Sequence, residues 1–284
     1  MTPQSRVEAA GVPEVSTKEQ PEAIPYYQKV KMFVLCGIVC LEFFFIHMIL
    51  AIIMKALNIH VYFFQAVICT FVVVNLMYYR YSFPGSIITL NTFIQEITSR
   101  RGTCSTIIFA VFGLLIVLGL RLVLGLTKID PNPLTQNFFD KNGELDISFI
   151  VDSILFSVIT EEIGLRRSMF NTIKQYTPHW RKFIFPLTGL WFGLIHFVNI
   201  GTSSFTTPYV IFQIFYGITV GYCFGVFTEY LGILPTIVIH MFNNIVAIFN
   251  PFEFTPFIIL YSVLTVSLYV GLTWRLLRDR KSVV

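Results

Sequence analysis

The sequence predicts an all-α fold: a polytopic membrane helix bundle with about eight transmembrane helices. Three observations predict it. Hydrophobic residues make up 55% of the 284 and charged residues only 13%, against roughly 25% charged in a soluble domain. Such a chain cannot cover a soluble surface with polar groups. Mean hydropathy is +0.72. The apolar residues also gather into runs close to the ~20 that one helix needs to cross a bilayer core.

In chain order, residues 1–28 carry Pro3, Pro13, Pro21 and Pro25 among Glu, Lys, Ser and Thr. That composition cannot bury a core and reads as a disordered cytosolic tail. It lacks the short apolar core of a signal peptide. The spans then run Met32–Met54, Val61–Tyr79, Thr106–Leu126, Phe149–Phe170, Phe183–Val198, Tyr209–Phe227, Leu231–Phe249 and Pro256–Trp274. The first is broken only by Glu42 and His47, which face either the bundle interior or a water-filled pocket. The second carries no charge. The third holds Arg121 near one end, where a long cation snorkels to the interface. The fourth and fifth are the least clean, because polar residues interrupt or shorten them. The sixth carries a ridge of Gly217, Gly221 and Gly225, and the fifth a shorter one of Gly189 and Gly193. Small residues at this spacing let helices approach closely, and both ridges are expected to pack the fold internally. The eighth runs into a basic end with Arg275, Arg278, Arg280 and Lys281. This divides the chain into a tail (1–28), N-terminal transmembrane helices (29–148), a core (149–250) and a last helix with its basic tail (251–284).

Charge sets the orientation. Eight spans put both termini on one side, and that side then holds most of the 20 basic residues. The loop with Asp130, Asp140, Glu144 and Asp146 falls on the other. Lys and Arg mark the cytosolic face, so both termini are expected there. An endoplasmic reticulum membrane and a bacterial plasma membrane fit equally. A net charge of +4 with no basic run between exposed aromatics gives no nucleic-acid partner. The five Cys are scattered at irregular spacing and read as buried thiols, not a disulfide framework.

Ionisable residues at membrane depth are costly and raise a functional hypothesis by default. Three local patterns hold most of them. In Glu161-Glu162-Ile163-Gly164-Leu165-Arg166, Glu162 and Arg166 are one helical turn apart and can pair. Glu161 is rotated away from that partner, which leaves it available as a general base; the alternative is two charges at a helix end near headgroups. In Phe192-Gly193-Leu194-Ile195-His196, Phe192 and His196 share a helix face, as a reactive histidine or a satisfied core one. In His240-Met241-Phe242-Asn243-Asn244, His240 and Asn244 point the same way. They form either donors for a developing oxyanion or an interhelical polar clamp. Glu161 lies ~18 Å into its span and His240 ~14 Å into its own, from the opposite side. Both depths fall near the middle of a core ~30 Å thick.

These three patterns, EExxxR, FxxxH and HxxxN on successive helices, resemble those of the CPBP intramembrane proteases. That family includes the type II CAAX prenyl endopeptidases and bacterial bacteriocin-processing or self-immunity proteins. The likeness covers roughly residues 150–250, and Gly232-Ile233-Leu234-Pro235 also resembles the family's approach to its last motif. It implies a hydrolase in which Glu161 and His196 activate a water and His240 and Asn244 stabilise the oxyanion. Glu162, Arg166 and Phe192 would support the site's geometry. It implies a prenylated or otherwise membrane-bound peptide as substrate, entering from the bilayer, and no cofactor. One alternative is zinc held by Glu161, His196 and His240, with water in the open position, although no His-Glu-x-x-His is present. The other is a non-proteolytic scaffold or self-immunity protein of the same fold.

Overall fold

The structure is a computed structural model and describes residues 26–57, 62–81, 103–126, 147–176, 181–200, 205–248 and 255–281. The expected tail before residue 26, the loops that carry much of the charge asymmetry and the Arg121 side chain lie outside the described residues. Among the described residues the chain forms eight helical segments and no strand. They are α1 (Tyr26–Ala56), α2 (Tyr62–Tyr81), α3 (Thr103–Leu126), α4 (147–176), α5 (Arg181–Leu194), α6 (Thr207–Tyr230), α7 (Ile233–Ile248) and α8 (Pro256–Lys281). Each expected span finds its helix.

By length and composition α1, α6 and α8 are long and apolar enough to cross a membrane, while α2, α3, α5 and α7 hold shorter apolar stretches. The remaining helix, α4, carries Asp152, Glu161, Glu162, Arg166 and Arg167. The surface agrees with a bilayer. Phe71, Ile108, Phe215 and Trp274 are each more than 60% exposed, an arrangement that lipid tolerates and water does not. The protein is a helical membrane bundle.

Two large apolar cores and a smaller one between α2, α4 and α7 share the interior. One large core joins α3, α6, α7 and α8 through residues such as Leu114, Phe224, Phe227 and Tyr269. The other large core joins α1, α2, α4 and α5 through Cys36, Met77, Phe170 and Phe192. The contact of α5 with α6 ties the halves together, and glycine makes it close. A Cβ on Gly193 would run into Ile218 Cγ1 and lie 2.5 Å from the Ile214 carbonyl oxygen. One on Gly189 would lie 2.7 Å from the Tyr222 nitrogen. The ridges therefore pack inward, as expected. Cys36, Cys40 and Cys223 are buried, Cys69 is half-buried, and all four are free.

The corner between α6 and α7 sets the position of His240. Gly232 has φ +105°, a left-handed conformation that favours glycine. Its N–H and that of Leu231 both reach the Phe227 carbonyl, at 3.2 and 2.7 Å, and so close the end of α6. Pro235 follows in the first turn of α7, where a missing N–H costs little. The chain thus reverses in two residues and sends α7 back beside α6.

Candidate active site

The site begins in α4, which is not a regular α-helix. Asp152–Phe156 and Thr160–Arg167 are wound as π-helix, a winding found frequently at functional sites. The second stretch contains the whole first motif. Glu162 and Arg166 are both fully buried and pair across one turn. Arg166 Nε donates to Glu162 Oε2 at 2.6 Å and Nη2 to Oε1 at 3.1 Å. Its remaining nitrogen, Nη1, donates to the Gly221 carbonyl on α6 at 2.7 Å. The guanidinium also lies 4.5 Å from the Phe192 ring centroid. The guanidinium fork thus joins α4, α5 and α6, which a point-like ammonium could not do.

Glu162 does more than the sequence suggested. Its Oε1 also accepts from His240 Nδ1 at 2.9 Å. The other ring nitrogen, Nε2, lies 3.7 Å from Glu161 Oε2. Two consecutive carboxylates therefore flank one imidazole. Glu162 fixes the ring from behind, and Glu161 faces it from the cavity side.

Phe192 fills the space between the polar groups. Its centroid is 5.6 Å from that of His196 and 5.8 Å from that of His240, both edge-on. Beyond it α5 tightens into a 3₁₀ turn, Ile195–Asn199. There His196 Nδ1 bonds the Phe192 carbonyl at 3.0 Å. A carbonyl only accepts, so Nδ1 carries the proton and Nε2 of a neutral His196 is left as acceptor.

Asn244 sits one turn beyond His240 and donates through Nδ2 to the Ser153 carbonyl on α4 at 2.9 Å. That uses one of its two N–H groups. Its neighbour Asn243 is buried and receives the Tyr216 hydroxyl at 2.8 Å on Oδ1.

Glu161, His196, His240 and Asn244 all line one cavity of about 490 Å³. The size is that of a small-molecule or peptide-segment site. His47 of α1 and Asp152 of α4 line it too. His47 is thus the pocket-facing residue that the sequence left open, with Nδ1 donating to the Phe43 carbonyl at 2.9 Å. Glu42 is not at this site. It pairs with Arg80 at 2.7 Å and accepts a hydrogen bond from Tyr81. Among the described residues no three His, Cys, Asp or Glu side chains are grouped as a metal site. Sequence reasoning missed Ser153, Asn243 and the tyrosines around it. Their only signal was position within the core, since a tyrosine in an aromatic-rich span looks like any other.

The fold and the site thus define a polytopic membrane protein with a polar, carboxylate-bearing cavity inside an apolar bundle. Residues 143–246 match the family model Type II CAAX prenyl endopeptidase Rce1-like. The match runs from just before α4 through most of α7 and contains all three motifs, so the resemblance read from them is shown over that stretch. No curated protein and no solved structure matches the chain.

Proposed function

We propose that the protein is an intramembrane endopeptidase that hydrolyses a membrane-bound peptide, with a prenylated CaaX-type C-terminus as the leading substrate. The observation that supports this most is the convergence of Glu161, His196, His240 and Asn244, from three helices, on one cavity. The matched family supports the reaction class.

In this reading a water in the cavity lies between Glu161 and His196. Glu161 takes its proton as general base, and His196 Nε2 accepts its second hydrogen and holds it in place. The water oxygen attacks the scissile carbonyl carbon, and the carbonyl π pair moves onto oxygen. In its imidazolium form His240 gives Nδ1–H to Glu162 and Nε2–H to that oxyanion. Asn244 adds its second N–H. Removal of one such donor costs about 10²–10³ in kcat. The intermediate collapses, the C–N bond breaks, and Glu161 returns its proton to the leaving amine. Glu162, Arg166 and Phe192 hold the reacting groups without touching substrate. No cofactor enters this scheme. The substrate's lipid part stays among apolar helix faces while its peptide end enters the cavity from the cytosolic side, where both termini also lie.

The test is cleavage of a farnesylated CaaX peptide by purified protein in lipid nanodiscs, wild type beside Glu161→Ala. Cleavage by wild type alone is expected. Equal cleavage by both would remove Glu161 as base. No cleavage by a folded wild type would remove the prenyl-peptide substrate and favour a scaffold, whose phenotype would tolerate Glu161→Ala.

A further inference from the structure

We infer that Asn243 is a positioning residue for the proposed oxyanion site: a tyrosine-anchored carboxamide that fixes which way the Asn244 amide faces. The inference rests on the proteolytic reading for its kinetic consequence, and on hydrogen-bond geometry alone for its structural one.

Three tyrosines from two helices surround the Asn243 side-chain oxygen. Tyr216 of α6 donates to it at 2.8 Å, and Tyr269 and Tyr261 of α8 lie at 3.2 and 3.3 Å. An amide oxygen has two lone pairs, so two of the three hydroxyls satisfy it. Tyr216 and Tyr269 are the closer two. Tyr261 has other acceptors, the Asn243 main-chain carbonyl at 3.4 Å and the Tyr216 oxygen at 3.4 Å. All three tyrosine side chains pack in the α3–α6–α7–α8 core. With its oxygen on the tyrosine hydroxyls Asn243 keeps an N–H for Asn244, whereas an amide flip would set its oxygen against Asn244 Oδ1.

With its oxygen held, Asn243 turns Nδ2 outward, toward Asn244 Oδ1 at 3.3 Å. Asn244 is then oriented from both ends. Its oxygen accepts from Asn243, and its nitrogen donates to the Ser153 carbonyl. Only this orientation leaves an N–H of Asn244 for a substrate oxygen in the cavity. Flipped, Asn244 would point a carbonyl at the developing negative charge, and two oxygens would meet at Ser153.

Asn243→Asp separates this role from packing. It keeps the shape and still accepts the tyrosine hydroxyls, but in its ionised form it has no donor for Asn244. In nanodiscs, with cleavage measured on the folded fraction, we expect kcat to fall by about 10–100-fold, at most the loss of one oxyanion donor, with KM changed less than about threefold. In an Asn244→Ala background the same substitution should lower kcat by less than about threefold, because residues acting as one unit are non-additive. An equal loss in both backgrounds, or no loss in the first, overturns the inference. Should Asn243→Asp not fold, Asn243→Ala, which likewise removes the donor to Asn244, carries the same cycle. A substrate-free measurement keeps this separate from the reaction assignment. The Asn244 side-chain amide resonances of ¹⁵N-Asn protein should shift in Asn243→Asp and Asn243→Ala. Unmoved signals would overturn the inference whether or not any peptide is cut. An inactive wild type with shifted signals would leave it standing while the proteolytic reading fails.

Discussion

Replacing Glu162 by Gln should expose how much of the site rests on one buried charge. Arg166 is wholly buried, and both oxygens of Glu162 face it. Gln keeps the shape but leaves the guanidinium without a counter-charge. Removing one partner of a buried pair costs about 3–5 kcal/mol. At roughly 2–4 °C per kcal/mol for a chain of this size, Tm should fall by about 6–20 °C. A second variant separates stability from chemistry. Glu162→Leu combined with Arg166→Met removes both charges and leaves apolar side chains in a closely packed space. Such replacements are often neutral or stabilising by about 1–4 kcal/mol, so melting should recover. Cleavage should not, because His240 Nδ1 has lost the acceptor that orients the ring. The assay is thermal unfolding in nanodiscs followed by peptide cleavage on the same samples. A double variant that melts normally and cleaves as fast as wild type would refute the claim that Glu162 positions His240. A single variant that melts within about 1 kcal/mol of wild type would refute the energetic argument.

Four further outcomes follow from the packing. Gly193→Ala places a Cβ against main chain that cannot easily retreat; overpacking of this kind costs about 1–3 kcal/mol, read as a lower Tm. Gly119→Ala on α3 meets nothing within 4 Å and should leave stability unchanged or raise it by up to ~1 kcal/mol. Phe192→Ala opens a void beside Arg166 and between the two histidines. It should cost about 3–5 kcal/mol and lower kcat in the protein that still folds. Lys174→Ala breaks a 2.6 Å pair with Glu229 whose side chains are partly exposed. The loss should stay below about 1 kcal/mol, within the scatter of repeated melts.

The fold was legible because lipid imposes a one-dimensional rule. Each apolar run had to become a helix, and Met32–Met54 or Pro256–Trp274 announced themselves by length alone. The fourth span was harder. Its charges shorten the apolar signal, and its end near Phe170 was placed early, since α4 continues to residue 176. Glu162 with Arg166 was readable because helical spacing couples them directly. The tie from Glu162 to His240 was not, because it joins residues 78 apart and depends on how two helices rotate about their axes. Asn243 shows the same limit. Beside Asn244 it reads as one more polar residue, and only the placement of α6 and α8 brings tyrosines onto it.

The winding of α4 explains how Glu161 and Glu162 both reach His240. In an α-helix of 3.6 residues per turn, neighbours diverge by about 100°. Two consecutive side chains then tend to serve different surroundings. A π turn bonds to the fifth residue rather than the fourth and spreads roughly one more residue over each turn, which narrows that angle. Both glutamates lie inside the π-wound Thr160–Arg167 stretch, and they approach the two nitrogens of one ring, at 3.7 and 2.9 Å. The same winding bears on Asp152. Nine residues separate it from Glu161, about two and a half α-turns, which would set the pair on opposite faces. With two π stretches in this part of α4, both line the cavity. Wound as regular α-helix, the same residues would turn one carboxylate away. The cavity-lining surface of α4 is thus a product of its helix type as much as of its residue types. Infrared or hydrogen-exchange measurements on Thr160–Arg167 should show weaker amide protection than in α6. Uniformly strong protection there would mean that α4 is regular and that the paired approach to His240 needs another cause.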